Sequence, residues 1–269
     1  MRPQFASLDW AARPVQVEYQ WVGPPGARPL VVFLHEGLGS LAMWRDFPSR
    51  LCASGGVRGL VYSRPGYGRS TPRGATEAWD LDFMHRQAYE VLPALLDALG
   101  VQPEVDRPFL FGHSDGASIA LLYAARHSPA LRGLIALAPH IMVEALSIQS
   151  IARVREAYQQ TDLRSRLARY HADPDSAFWG WNDIWLHPPF RQWSIEREIE
   201  SITCPLLAMQ GLEDEYGTLE QIRGIARRLP QAQLLELPAC GHSPHRDQTE
   251  AVIEAAVRFI HHHHPGDRP

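Results

Sequence analysis

The sequence predicts an α/β fold, a mainly parallel, doubly wound sheet with an inserted helical cap. Three observations carry this. Short apolar runs recur along the chain, each continuous enough for a strand covered on both faces. Helical patterns separate most of them, which indicates parallel strands joined by crossover helices. The alternation then breaks once, between the fourth and fifth runs.

The elements follow in order. Residues 15–22 alternate as a half-buried strand. Residues 30–34, Leu-Val-Val-Phe-Leu, form the first continuous run, and a helical pattern follows at 44–54. Residues 59–62 are the second run, followed by a helical stretch at 83–99. The third run, 109–111, leads into helix formers at 117–126, and the fourth lies at 133–137. The fifth run, 206–209, precedes a helix at 219–228; the sixth, 233–237, precedes one at 249–260. Residues 140–203 are helical in character and show no core strand, so they are expected to form the cap, with 1–139 and 204–269 as the core. The cap carries Tyr170, Phe178, Trp179, Trp181, Trp185 and Trp193. Such aromatics either anchor the insertion to the core or line a pocket for an apolar substrate. Trp179, Trp181 and Trp185 are taken as pocket candidates.

Composition narrows the function. The 269 residues are 45% hydrophobic and 21% charged, with a net charge of −4, ordinary for a globular protein able to bury a core. No basic run or basic helix face suggests nucleic acid as a partner. No apolar run approaches the ~18 residues of a membrane span. Cys52, Cys204 and Cys240 are odd in number and include no C-x-x-C pair, which fits a reducing, cytoplasmic setting. The N-terminal ten residues lack an apolar signal core. His261–His264 near the C-terminus, ahead of residues 265–269, are not read as a metal site, and whether the run is native is left open. No metal or cofactor is expected, because the histidines lack a ligand spacing such as H-E-x-x-H. The oligomeric state is left open.

The chemistry starts at Gly112-His113-Ser114-Asp115-Gly116, a Gly-x-Ser-x-Gly sequence between a strand and a helix. That setting is a nucleophile elbow: a sharp turn lifts the serine hydroxyl above the sheet, and small neighbours let strand and helix approach. A serine hydroxyl needs a general base oriented by a third group. Asp214 follows the fifth apolar run and His242 the sixth, and loops leaving the carboxyl ends of parallel strands meet at one rim. The rivals are Glu213 and Glu215 for the acid and His245 for the base. Gly37, in the turn after residues 30–34, is expected to offer a backbone N–H to an oxyanion, with Leu38 the alternative. The Asp115 amide is the second donor.

On the residues 35–39, 64–70, 112–116, 211–214 and 241–242, the chain resembles the α/β-hydrolase fold superfamily over about residues 15–260. The resemblance implies a triad of Ser114, Asp214 and His242, and a substrate class drawn from carboxylesterases, lactonases, C–C hydrolases and thioesterases. Ser114 separates the chain from dehalogenases and epoxide hydrolases, which place aspartate there. Two positions depart from the common pattern. Glu36 stands where many relatives have glycine, bringing a carboxylate near the pocket or turning it outward. Asp115 follows the serine as in similar amino-acid-ester hydrolases, which implies a cationic-amine contact; its place at a helix start offers a cap instead. The cap is the reading taken.

The expected function is hydrolysis of a small carboxylic ester, lactone or related acyl bond through an acyl-enzyme, with a small-molecule acyl substrate as the partner. The alternatives are C–C hydrolysis of aromatic ring-cleavage products and a non-catalytic ligand-binding protein on the same fold.

Overall fold

A computed structural model describes residues 4–74 and 76–264; the tail at 265–269 lies outside them. Eight strands form one sheet in the order β1-β2-β4-β3-β5-β6-β7-β8. They are β1 (Gln4–Trp10), β2 (Arg13–Val22), β3 (Leu30–Leu34), β4 (Arg58–Tyr62), β5 (Phe109–His113), β6 (Gly133–Leu137), β7 (Leu206–Gly211) and β8 (Gln233–Leu237). From β4 through β8 every pairing is parallel, while β1 and β2 run antiparallel at one edge. The expected mainly parallel sheet is therefore found. β1 is an addition to the strands expected from residue 15 onward. It pairs along its whole length with β2 and buries Ala6, Leu8 and Trp10 on one face.

The apolar runs alternate between two cores, as the two-residue period of a strand requires. Val32, Leu34 and Leu110 face one core with the helical stretch Phe83–Arg86, Gln87–Val91 and Leu92–Ala98. Val31, Phe33, Phe109 and Phe111 face the other, against helices Phe47–Gly55 and Thr249–His263. The helix expected at 44–54 divides into a 3-10 turn at Leu41–Trp44 and the helix from Phe47, with Pro48 in its first turn; proline lacks the N–H that a helix interior needs. Cys52, Cys204 and Cys240 are buried and unpaired. Among the described residues no helix is long and apolar enough to cross a membrane.

Register aligns the working ends. Leu34 lies opposite Gly112, His113 opposite Leu137, and Gly211 opposite Leu237. The loops that follow these residues leave one edge of the sheet together. Above that edge, between β6 and β7, lie helices Ala145–Gln160, Leu163–Leu167 and Pro174–Leu186.

Candidate active site

Only Ser114 separates β5 from the helix Asp115–His127. Its backbone takes φ 52° and ψ −122°, a strained conformation for a residue with a side chain, costing roughly 1–3 kcal/mol. The surrounding packing imposes it. A Cβ on Gly112 would stand 2.4 Å from the Gly116 carbonyl oxygen, and one on Gly116 only 2.1 Å from that of Leu34. Glycine at both positions lets strand and helix close on each other. The Ser114 N–H donates to Leu137 O at 2.9 Å, pinning the turn to β6.

His242 Nε2 lies 2.9 Å from Ser114 Oγ, and His242 Nδ1 lies 2.8 and 3.0 Å from the two oxygens of Asp214. An ionised carboxylate only accepts, so Nδ1 carries the proton and the Nε2 lone pair faces the serine hydroxyl. Asp214 also accepts the Tyr216 and Gly217 amides at 2.8 and 3.2 Å and the Gln210 side-chain amide at 3.1 Å. Burial opposes its charge, but the His242 hydrogen bond and charge and the Tyr216 amide hold its pKa below the ordinary aspartate value. Burial likewise opposes charge on His242, yet Asp214, Glu215 and Glu36 raise its pKa above that of a free imidazole.

The rivals fall elsewhere. Glu215 Oε2 accepts the main-chain N–H of His242 at 3.1 Å. Glu213 makes no such contact with the imidazole. His245 is buried against Trp44 and His113, with neither ring nitrogen hydrogen-bonded.

The turn after β3 is held by its own histidine. His35 Nδ1–H donates to Glu36 O at 2.7 Å, and its Nε2 accepts the Arg64 N–H at 3.0 Å. Burial and the Arg64 charge keep this ring neutral. His171, from the segment between β6 and β7, accepts the Gly68 N–H and donates to Leu38 O at 3.1 Å. The motif at 64–70 thus braces the turn that presents Gly37 and Leu38.

These residues open on a cavity of about 230 Å³. Ser114, His242, Glu36, Gly37, Leu38 and Asp115 line it from the sheet side; Ile151, Val154, Trp181 and Trp185 line it from the helices above. A Cβ on Gly37 would come within 2.2 Å of Trp181 Nε1, so glycine makes room for the indole.

Two expectations are corrected. Trp179 does not line this cavity. It faces a separate depression with Arg73 and Trp79 and packs on Tyr158 and Phe178. On the helix Pro174–Leu186, Trp181 and Trp185 are four residues apart and share a face, whereas Trp179 lies two residues off and points away. Asp115 does not cap its helix: it is the first helical residue, and its Oδ1 accepts the Trp185 indole N–H at 3.2 Å. Burial pushes its pKa up to about 6, against the pull of Arg64, 4.0 Å away.

Six lining residues escaped sequence reasoning: His113, His140, Ile151, Val154, Tyr216 and Ser243. The Tyr216 ring is tilted against the His242 ring with centroids 4.7 Å apart, and the His140 and His113 ring centroids lie 5.6 and 5.3 Å from it. Only His113 carried a signal, as the residue before the serine. Among the described residues no group of three His, Cys, Asp or Glu side chains is arranged to hold a metal ion.

A sheet of this strand order, with serine, histidine and aspartate in line at its carboxyl edge, defines the class of α/β hydrolases. The chain belongs to the alpha/beta hydrolase family, whose profile matches residues 31–255. It is 22% identical over 280 residues to the mouse sn-1-specific diacylglycerol lipase ABHD11, covering 92% of this chain and 86% of that one. It is 21% identical over 266 residues to the 2-hydroxy-6-oxononadienedioate/2-hydroxy-6-oxononatrienedioate hydrolase of Comamonas testosteroni, covering 87% and 88%. In fold it is similar to a thermophilic esterase from Thermogutta terrifontis solved with malate bound, with a TM-score of 0.76, 18% identity and coverage of 98% and 100%. Hydrolase chemistry is common to these relatives.

Proposed function

We propose that this protein is a serine hydrolase that cleaves a small carboxylic ester, lactone or related acyl bond. The observation that supports this most is the unbroken contact from Ser114 Oγ through His242 to Asp214 at the floor of the cavity. Ser114 attacks the acyl carbonyl carbon while His242 Nε2 takes its proton. Asp214 holds the imidazole tautomer and stabilises its charged form. The backbone amides of Gly37 and Asp115 receive the oxyanion. His242 protonates the leaving group, and water activated by the same nitrogen then releases the acid from Ser114. The helices at 140–203 act as the cap over the acyl group.

The lining favours uncharged acyl groups. Glu36 and Glu215 are acidic lining residues, and no arginine or lysine is among the described residues that line the cavity. Carboxylate-bearing ring-cleavage products would meet like charge there, so ester or lactone hydrolysis is preferred over C–C hydrolysis.

The test is labelling with a fluorophosphonate, site mapping by mass spectrometry, and turnover of p-nitrophenyl esters of graded chain length. Modification of Ser114 with turnover of short esters is expected. Absence of labelling at Ser114, or turnover much slower than ligand dissociation, would overturn the reading in favour of a ligand-binding protein.

A further inference from the structure

Behind the serine lies a second histidine–carboxylate arrangement that the acyl-transfer steps leave unused. We propose that Glu36 and His113 form a positioning couple for His242: the Glu36 carboxylate holds the His113 imidazole, and His113 Nε2–H holds the main-chain carbonyl of His242. This rests on the reading of His242 as the general base.

The geometry fixes the direction of the chain of contacts. His113 Nε2 lies 2.7 Å from the His242 carbonyl oxygen. A carbonyl oxygen only accepts, so Nε2 carries a proton. His113 Nδ1 faces Glu36 Oε2 at 3.5 Å, too long for an ordinary hydrogen bond; for the carboxylate to hold the ring, Nδ1 carries a proton as well, so the proposed couple is an imidazolium–carboxylate ion pair. The ring is 1% exposed, so its orientation is set by packing and by these two partners. Room for the carboxylate is built into the chain: a Cβ on Gly39 would stand 2.4 Å from Glu36 Oε2. The other Glu36 oxygen meets Arg246 at 3.5 Å, and Arg246 donates to Met43 O at 3.0 Å. Glu36 therefore reaches the histidine loop at two points, through His113 at residue 242 and directly at residue 246.

The surroundings are charged from several sides. Glu36 is faced by His113 from β5, by His245 and Arg246 from the histidine loop, and by Asp115 and His171 at longer range. Burial opposes its ionisation, but His113, His245 and Arg246 hold its carboxyl well below the ordinary glutamate value. His242 is faced by Asp214 and Glu215 from the loop after β7, by His140 from the loop after β6, by His113 and Asp115 from the serine turn, and by Glu36. The Glu36 charge favours the protonated form of His242, so removing it lowers the pH at which the base becomes neutral. A residue that only fills space would not move that pH.

Three variants test this, measured as kcat, KM and the pH profile of kcat/KM on a short p-nitrophenyl ester, with thermal melting as the check of folding. Glu36→Gln, nearly isosteric, should shift the acid limb downward by roughly half a pH unit, the size expected of one nearby charge in a partly solvated site. His113→Leu loses the hold on the carbonyl and should lower kcat by roughly 10–100-fold with KM little changed, as small misplacements of a catalytic group do. His113→Gln, which keeps a side-chain N–H of similar reach, should recover kcat to within about tenfold of wild type, on the same argument of placement. An unmoved acid limb in Glu36→Gln overturns the inference, as does wild-type kcat in His113→Leu. So does a loss in His113→Gln equal to that in His113→Leu, or one beyond about a hundredfold if the leucine variant does not fold. Ser114→Ala is assayed beside them: if it still turns over ester, the triad reading has failed and not the positioning couple alone.

Discussion

Trp185 Nε1 donates to Asp115 Oδ1 at 3.2 Å, tying the helix Pro174–Leu186 to the first residue after the serine turn. The contact is fully buried, with both side chains at 1% exposure. It joins the segment above the cavity to the backbone amide proposed to bind the oxyanion. Arg64, also buried, stands 4.0 Å from the other Asp115 oxygen.

Asp115 gives a pH-dependent prediction. Burial raises its pKa from the ordinary aspartate value of about 3.9 to about 6 in the folded protein. The folded state then binds more protons than the unfolded chain between those values, so stability falls as pH rises through that window. Asp115→Asn keeps an oxygen for the Trp185 N–H and removes the titration. Its stability relative to wild type should improve by on the order of 2–3 kcal/mol between pH 4 and pH 7, about 1.4 kcal/mol for each pKa unit. Chemical denaturation of both proteins at the two pH values measures this; a constant difference would refute it.

Ser114→Ala should abolish fluorophosphonate labelling and lower kcat by on the order of 10⁴–10⁶. The fold should persist, since the alanine removes only a hydroxyl and the strain belongs to the backbone. Activity near wild type would discard the nucleophile assignment.

The acid series separates three neighbours. Asp214→Asn should lower kcat by on the order of 10⁴, because the amide favours the wrong imidazole tautomer. Glu215→Gln should have a smaller effect, since it accepts only a main-chain N–H of His242, and Glu213→Gln less still. The raised His242 pKa places the acid limb of kcat/KM above the ~6.5 of a free imidazole. A limb below that value would contradict the Asp214 pairing.

The tryptophans divide by helix face. Trp181→Ala should raise KM for apolar esters, because the indole lines the cavity. Trp185→Ala should lower stability by roughly 3–5 kcal/mol, as deletion of a buried aromatic does. Trp179→Ala should leave KM unchanged, since that ring faces another depression. Gly37→Ala should mimic the loss at Trp181, because its Cβ would collide with that indole. Esters of graded length and melting curves distinguish the four; a KM effect from Trp179→Ala alone would reverse the assignment.

The sequence by itself determined the layered sheet and the order of its chemistry. Strand identity is a local matter: runs such as 30–34 and 133–137 are apolar on both faces, and only a covered parallel strand accommodates them. Gly112 is equally local, since its Cβ would meet the Gly116 carbonyl four residues on, whereas Gly116 makes room for Leu34 of a different strand. Tertiary structure decided what depended on how separate loops approach. Asp214, and not its neighbours, meets the His242 imidazole, with its carboxylate held by the Tyr216 and Gly217 amides. Asp115 serves Trp185 and not its own helix because a residue seventy positions away comes within reach. The same holds for His113 and Glu36, whose neighbours belong to strands and loops far apart in the chain. Side-chain periodicity tells which face a residue takes, and Trp181 and Trp185 obeyed it. What waits on that face is set by the packing of distant segments, which no local pattern encodes.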